Sequence, residues 1–271
     1  MEEVLSEQQK TKTVKKTKVS AQQQIILGRI LTGVIVLSLW QGLSGSVIKE
    51  TWISQPSLII KRLIKMTMDG SLWFHLSITL EEMLIGLIVG MAVGTALGIV
   101  MANSGKVQHY FSPYIMALSS LPRAALAPLF VVWFGIGLYS KILMVVMMVV
   151  FVAYYNAYEG IRNIDNDLIQ MMNSYKATRM QKLRWLILPS IAPWVMNSLR
   201  LGIGTSAIGA VIAEMVGANR GVGYYINYAS ALIDTTGIFA GLFVIMIVAV
   251  ILDQIIVLIE KSIFKYRIPN E

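Results

Sequence analysis

The chain has 271 residues, of which 56% are hydrophobic and only 14% are charged, and its formal net charge is +8. Soluble domains carry about a quarter charged residues, so this composition excludes an ordinary soluble domain and indicates a polytopic α-helical membrane protein. Cysteine is absent from the sequence, which excludes disulfides, thiolate zinc sites and catalysis by a thiol.

The N-terminal residues 1–24 are rich in Lys, Gln, Thr and Ser and contain no aromatic residue. Such a segment cannot bury enough apolar surface to fold, so we predict a disordered cytoplasmic tail. A secretory signal peptide would also place a basic stretch before an apolar one. No convincing small-residue cleavage site follows here, which favours a retained first span and a single transmembrane domain over residues 25–271.

Apolar runs of about 20 residues, long enough to cross a bilayer as α-helices, recur along the rest of the chain. They predict an all-α fold with about six transmembrane helices, near residues 25–43, 74–102, 113–134, 140–158, 190–213 and 237–260. After the first run, residues 58–68 predict a short amphipathic helix on the outer membrane surface, with Leu58, Ile59, Leu63 and Met66 toward lipid.

The cationic residues are distributed unevenly between the two sides of this predicted bundle. Lys and Arg cluster in residues 1–24, in the loop 159–188 and after residue 260, whereas the alternate loops hold fewer. Because cytoplasmic loops of membrane proteins carry the excess of Lys and Arg, we predict that both termini and the loop 159–188 are cytoplasmic. The positive charge is then a topology signal, so membrane lipid is an expected partner and nucleic acid is not.

The second predicted span contains four glycines at a strict spacing of four residues: Gly86, Gly90, Gly94 and Gly98. On a helix they form one ridge without side chains, which lets another helix approach closely and pack by van der Waals contact. The ridge therefore predicts a helix-packing surface, and a sliding surface for the motion of a gate is the alternative.

Ionisable residues inside the predicted spans are costly in lipid and are therefore candidates for function. Arg123 lies in the third span between Pro122 and Pro128, which should bend the helix beside a cavity. Two roles fit Arg123: contact with an anionic substrate, or an ion pair that holds two helices together. Candidate carboxylate partners, each of which also fits an interfacial position, are Glu81, Glu82 and Glu214. Arg123 and Glu214 are the candidate pathway residues.

No segment of the chain has a nucleotide-binding or catalytic motif. The P-loop pattern G-x-x-x-x-G-K-[ST] is missing, because Val100 occupies the first glycine position before Gly105 and Lys106. The patterns G-x-S-x-G and H-E-x-x-H are absent, and His75 and His109 lack a metal-ligand spacing. We therefore expect no enzyme activity, no cofactor and no metal site in this polypeptide.

A charged helical hairpin interrupts the apolar sequence over residues 159–188 and ends at Leu188 and Pro189. This hairpin and the segments 121–137, 212–217 and 221–223 resemble the permease subunit of binding-protein-dependent ABC importers, in the branch associated with nitrate, sulfonate, taurine and bicarbonate. The resemblance implies a type I importer permease fold in the bacterial cytoplasmic membrane. It also implies the partners: ABC ATPase subunits, an extracytoplasmic substrate-binding protein, and a second copy of the chain or a related permease.

In this family the hairpin docks onto the ATPase and usually contains Glu-Ala-Ala, three further residues and then Gly. The ATPase-coupling residues that the resemblance implies are Gln170, Met171, Met172, Lys176, Ala177, Thr178, Arg179, Leu183 and Pro189. Lys176 stands where the family has glycine, so it predicts either a strained left-handed turn, costing about 1 kcal/mol, or a continuous helix. Residues 177–188 taken alone would also fit an amphipathic helix on the inner membrane surface.

The resemblance implies an importer permease that forms the pathway for a small solute, with an anion such as a sulfonate, nitrate, taurine or bicarbonate favoured. A vitamin precursor, such as a thiamine pyrimidine or riboflavin, is the alternative within the family. The competing class is a secondary transporter or channel, which would need internal repeats and ion-binding groups at the membrane midplane. No repeat is visible between the two halves of the chain.

Overall fold

The computed structural model describes the backbone of residues 2–263 and the side chains of residues 23–262. Its α-helices are α1 (Glu2–Leu43), α2 (Pro56–Met68), α3 (Ser71–Asn103), α4 (Gly105–Ser120), α5 (Ala127–Phe134), α6 (Leu138–Arg162), α7 (Asn166–Ser174), α8 (Arg179–Lys182), α9 (Leu188–Gly217), α10 (Val222–Ala231) and α11 (Thr235–Ile263). A 3₁₀ turn, Arg123–Leu126, precedes α5, and a π-helical segment, Leu183–Ile187, joins α8 to α9.

Five helical stretches in the described part of the chain are long and apolar enough to cross a membrane. They are Gln23–Leu43, Ser71–Asn103, Leu138–Arg162, Arg179–Gly217 and Thr235–Ser262. A sixth crossing is present only if α4 and the helical segment Arg123–Phe134 together form one bent span. The structure therefore agrees with the prediction of about six spans.

The third span differs from the single bent helix predicted over residues 113–134. The helices Gly105–Ser120 and Arg123–Phe134 meet at 83°. The break lies at Leu121, which has extended backbone (φ −64°, ψ 139°) because the ring of Pro122 disfavours helical geometry in the residue before it. The prolines thus bend the chain, as expected, and they also divide it into two short helices.

The first helix, α1, begins at Glu2 and so includes most of the N-terminal segment 1–24. The disordered cytoplasmic tail stays a prediction. Glu, Gln and Lys have high intrinsic helix propensity, so a helix can extend through a segment that has no apolar face to bury. From residue 23 to residue 39, α1 is exposed on all sides and stands apart from the other helices.

The amphipathic helix predicted over residues 58–68 is present as α2, but its apolar face points the other way. Ile59 and Met66 are buried against Ala240 of α11 rather than exposed to lipid. Arg62 on the same helix forms an ion pair with Asp234, at 2.9 Å, beside the start of α11. This cation therefore serves packing between α2 and α11, which explains why a positive charge lies in a loop predicted to be outside.

The core of the bundle is formed by α3, α6 and α9, and the glycine ridge of α3 lies against α6. A Cβ atom added at Gly90 would lie 2.8 Å from the Cβ of Val149. One added at Gly98 would lie 2.7 Å from the carbonyl oxygen of Tyr154. Gly86 and Gly94 face α6 in the same way, at Val145 and Val150. The absence of side chains thus allows the two backbones to approach at four successive turns.

Candidate functional site

The hairpin between the fourth and fifth spans consists of two short, well-capped helices. Asp165 caps α7, and its side-chain oxygen accepts a hydrogen bond from the backbone N–H of Asp167 at 2.9 Å. Thr178 and Gln181 form a reciprocal capping box at the start of α8, with each side chain accepting from the other residue's backbone N–H. These caps satisfy backbone groups that would otherwise lack partners, so two short helices can form outside the membrane.

Lys176 joins these two helices in a left-handed conformation, with φ of 51°. Its N–H donates to the carbonyl of Asn173 at 2.8 Å, and the N–H of Ala177 donates to the carbonyl of Met172 at 3.0 Å. This pair of bonds is the Schellman motif, in which glycine normally occupies the left-handed position. Of the two alternatives that the sequence left open, the structure contains the strained turn, and the helix is not continuous.

The hairpin presents large apolar side chains beyond the ends of the spans. Tyr175 is 79% exposed, Met180 is 70% exposed and Trp185 is 69% exposed. Met171 is exposed as well. Exposed apolar side chains of this size indicate contact with another molecule. The predicted coupling residues did not include Tyr175 or Trp185, although large apolar residues inside a charged loop were a signal for them.

Most of the coupling residues named from the sequence lie on the surface of this hairpin. Those with exposed side chains are Gln170, Met171, Lys176, Thr178, Arg179 and Pro189. Met172 and Ala177 are half-buried. Leu183 differs in its surroundings, because it packs on the apolar cluster of Ile161, Ile187 and Ile191 at the ends of α6 and α9. Leu183 therefore connects the hairpin to the spans.

Arg123 lies at the break in the third span and reaches toward α6. Its Nη1 donates to the carbonyl oxygen of Met148 at 3.2 Å, and its guanidinium carbon lies 5.6 Å from the centre of the Phe151 ring. Among the described residues, none of the ion pairs within 4.0 Å includes Arg123. The suggested pairing of Arg123 with Glu81, Glu82 or Glu214 is therefore wrong within one chain.

Further polar side chains lie on the part of α6 that Arg123 contacts and on the helices α4 and α9 beside it. The hydroxyl of Tyr155 lies 2.9 Å from that of Ser119 on α4. On the next residue of α6, the side-chain oxygen of Asn156 accepts a hydrogen bond from the amide of Asn197 on α9 at 3.0 Å. We call Arg123, Ser119, Tyr155, Asn156 and Asn197 the polar face. Sequence reasoning found only Arg123, because the other four are unremarkable until α4, α6 and α9 are brought together.

Glu214 occupies a different place, near the end of α9 opposite the hairpin, and is only 1% exposed. Its carboxylate accepts from the hydroxyl of Thr79 at 2.6 Å and from the N–H of Gly223. Thr79 in turn accepts from the N–H of Val222 at 2.8 Å. Glu214 therefore holds the start of α10 against α3, and its burial inside one chain separates it from the polar face.

Two more ion pairs involve charged residues within the spans. Lys141 Nζ lies 3.0 Å from the Oε1 of Glu82, which is fully buried beside Glu214. Arg200 Nε lies 3.1 Å from the Oδ1 of Asp253, which links α9 to α11. Lys141 and Glu82 are buried charges, which are costly unless paired, whereas Arg200 and Asp253 form a partly exposed pair; each pair joins two helices within the chain.

Apolar spans with a charged helical hairpin between the fourth and fifth define a polytopic membrane transport subunit. Residues 94–265 match the family described as the binding-protein-dependent transport system inner membrane component. The chain belongs to this family and is the membrane-spanning permease subunit of an ABC importer. The family is one of transport proteins rather than catalysts, and membership among ABC importer permeases implies a binding protein and an ATPase as partners.

The comparisons with individual proteins agree with this assignment. The chain is 30% identical to the putative aliphatic sulfonates transport permease protein SsuC of Bacillus subtilis, over 88% of this chain and 87% of that one. It is 33% identical to the riboflavin transport system permease protein RibX of Chloroflexus aurantiacus, over 89% and 90%. An inward-facing structure of the MetNI methionine ABC transporter matches with a TM-score of 0.62 at 20% identity, over 72% of this chain and 95% of that one. The predicted family and fold are confirmed.

Proposed function

We propose that this permease carries a small organic anion of the sulfonate type across the bacterial cytoplasmic membrane. The observation that carries the proposal is the polar face. Arg123, Tyr155 and Asn156 lie within or between apolar spans, on a side of the bundle that the single chain leaves open. Polar and cationic groups in a membrane are stable only toward water or other polar groups, so this side fits a solvated pathway.

The chemistry of this face fits a sulfonate. A guanidinium donates in a fixed fork that matches the oxygens of an oxyanion, and hydroxyl and amide groups supply further donors. The contact of Arg123 with the carbonyl of Met148 involves one of its nitrogens, which leaves other N–H groups for a solute. The similarity to SsuC, whose name assigns it aliphatic sulfonates, supports the same class of solute.

A second copy of the chain, or a related permease, completes the pathway in this proposal. The described part of one chain encloses no channel, because the polar face lies on its surface. With both termini in the cytoplasm, the hairpins of two chains would extend toward a pair of ATPases. The basic residues of the hairpin support this orientation, since cytoplasmic segments carry the excess of cations. An extracytoplasmic binding protein would deliver the solute from the other side.

Movement of the ATPases would reach the pathway through the helix that contains the hairpin's second half. From Arg179 to Gly217 the helical backbone is uninterrupted, and it includes Asn197 of the polar face. Leu183 packs this helix on the end of α6, which carries Tyr155 and Asn156. A displacement of the hairpin would thus move α6 and α9 together, as expected for rigid-body opening and closing of two permease halves.

A flat heteroaromatic solute is the second candidate, and a specific feature favours it. Phe151 lies beside Arg123, and the rings of Tyr154 and Tyr155 meet edge to face at 4.9 Å. Aromatic side chains near a cation suit a ring that carries negative groups. The similarity to RibX, whose name assigns it riboflavin, supports this candidate.

Uptake into proteoliposomes distinguishes these proposals. The permease is reconstituted with its ATPases and binding protein, and accumulation of taurine, ethanesulfonate, riboflavin and a formylaminopyrimidine is followed with and without ATP. We expect ATP-dependent uptake of a sulfonate that falls at least tenfold in Arg123→Gln and partly recovers in Arg123→Lys. Uptake of riboflavin alone would favour the second candidate. Uptake without ATPase would refute the importer mechanism and favour a secondary transporter.

A further inference from the structure

A cavity of about 550 Å³ lies between the hairpin and the ends of α3 and α6, well away from the polar face. Its walls are largely apolar, with Ile99 and Val100 from α3, Ile164 from the loop after α6, and Leu183 from the π-helical segment. Cavities of about 300–1,000 Å³ are those in which proteins bind small ligands. This one is large enough for a ligand and has no role in the proposed pathway.

The polar part of the cavity contains two cations beside the neutral side chains of Asn103 and Ser104. Arg179 and Lys182, one turn apart on α8, line it, and its lining includes no carboxylate among the described residues. The side chain of Lys182 is held by a hydrogen bond to the amide oxygen of Asn173. Two cations beside an apolar wall match a ligand that combines a negative group with a hydrocarbon portion.

Residues next to the cavity are of the kind found at a membrane surface. Trp185 and Arg184 follow Leu183 directly, and the guanidinium of Arg184 lies 5.4 Å from the centre of the Trp185 ring. Trp185 is largely exposed. Exposed tryptophan beside a cation is typical of the boundary between lipid headgroups and acyl chains. A ligand in the cavity would therefore be within reach of the bilayer itself.

We propose that an anionic phospholipid binds in this cavity, with its phosphate on Arg179 and Lys182 and part of an acyl chain along Val100, Ile164 and Leu183. A soluble anion would contact the two cations but leave the apolar wall hydrated. A zwitterionic lipid would cover the apolar wall with an acyl chain, but its headgroup carries no net negative charge to balance the two cations. The anionic phospholipid satisfies both parts of the site, as basic pockets between transmembrane helices do for anionic lipids.

The bound lipid would connect the hairpin to the second span. Arg179 belongs to α8, whereas Val100 belongs to α3, and in the described residues the cavity separates these two elements. Filling this space would make the position of the hairpin depend on the lipid composition of the membrane. The inference does not depend on which solute is transported.

The test uses the full-length permease in nanodiscs made of phosphatidylglycerol, phosphatidylcholine or a mixture, with retained lipid counted by native mass spectrometry after detergent extraction. We expect phosphatidylglycerol to be retained over phosphatidylcholine, and its affinity to fall about 25-fold in Arg179→Gln/Lys182→Gln, since each basic group contributes about fivefold. The matched control, Arg162→Gln/Lys176→Gln, removes two exposed cations outside the cavity and should retain the lipid.

A second pair of variants tests the apolar wall without altering charge. Val100→Trp should fill the cavity and displace the lipid, whereas Val93→Trp, at another exposed position of α3, should not. Equal retention of phosphatidylglycerol by all variants, or equal retention of phosphatidylcholine, would overturn the proposal. Full displacement by glycerol phosphate would reveal a site for soluble phosphate instead. Loss of the lipid when the ATPase binds would assign the cavity to the protein interface.

Discussion

Replacing Gly90 should force apart the two helices at the centre of the bundle. A Cβ atom at this position would lie 2.8 Å from the Cβ of Val149 and 3.3 Å from the carbonyl oxygen of Val146. Carbon atoms pack at about 3.5–4.0 Å, so even alanine requires a local movement of roughly 1 Å. Overpacking in a core costs about 1–3 kcal/mol, and we expect Gly90→Ala to fall in this range and Gly90→Leu to exceed it.

The assay is the melting temperature of the detergent-solubilised full chain, followed by fluorescence-detected size exclusion after heating. A loss of 1–3 kcal/mol should lower the melting temperature by several degrees, at about 2–4 °C for each kcal/mol in a protein of this size. Gly204→Ala is the matched control, because a Cβ atom at Gly204 on α9 would meet nothing within 4 Å. Normal yield and melting of both Gly90→Leu and Gly94→Leu would refute the packing of the ridge against α6.

Three further changes test the hairpin, the topology and the outer network. Ala177→Glu should abolish ATPase binding in a pull-down without lowering the chain's melting temperature, because an unpaired charge in the contact would cost several kcal/mol of binding free energy. Ala177→Ser should bind normally. A cysteine at Lys176 should react with an impermeant maleimide only in inverted vesicles; labelling of intact cells would reverse the proposed orientation. Thr79→Val should destabilise the chain by about 1–3 kcal/mol, because it removes one of the hydrogen bonds to Glu214 and leaves the N–H of Val222 without its side-chain acceptor, and unchanged melting relative to Thr79→Ser would contradict this role.

Features that depend on local periodicity could be predicted from the sequence. The glycines from Gly86 to Gly98 define one helix face whatever lies opposite, so their packing role follows from spacing alone. Pro122 predicts a bend for the same reason, because its effect on Leu121 is local. The angle of 83° could not be predicted, since it also depends on the 3₁₀ turn after the break and on what α5 packs against.

Features that depend on distant contacts could not be predicted. Glu214 resembles an interfacial residue in the sequence, and only the return of the outer loop onto it places the N–H of Gly223 at its carboxylate. Asn156 and Asn197 lie 41 residues apart, and nothing in their neighbours links them. The sequence did not decide between the two backbone conformations at Lys176. The cost of a left-handed turn at a lysine, about 1 kcal/mol, is small compared with the stabilisation from the contacts of the folded hairpin.

The π-helical segment Leu183–Ile187 sets the direction in which the hairpin points. A π turn contains about one residue more than an α turn. The side chains of α8 therefore point in directions rotated by about 100° from those they would have if a regular α-helix extended from α9 back to α8. The direction in which the exposed side chain of Met180 points therefore depends on a single extra residue in the π-helical segment. Deleting Arg184 would restore regular winding and turn the same surface toward a different side of the molecule, with its composition unchanged. In this protein, the direction that the contact surface faces and the chemical composition of that surface are encoded by different residues.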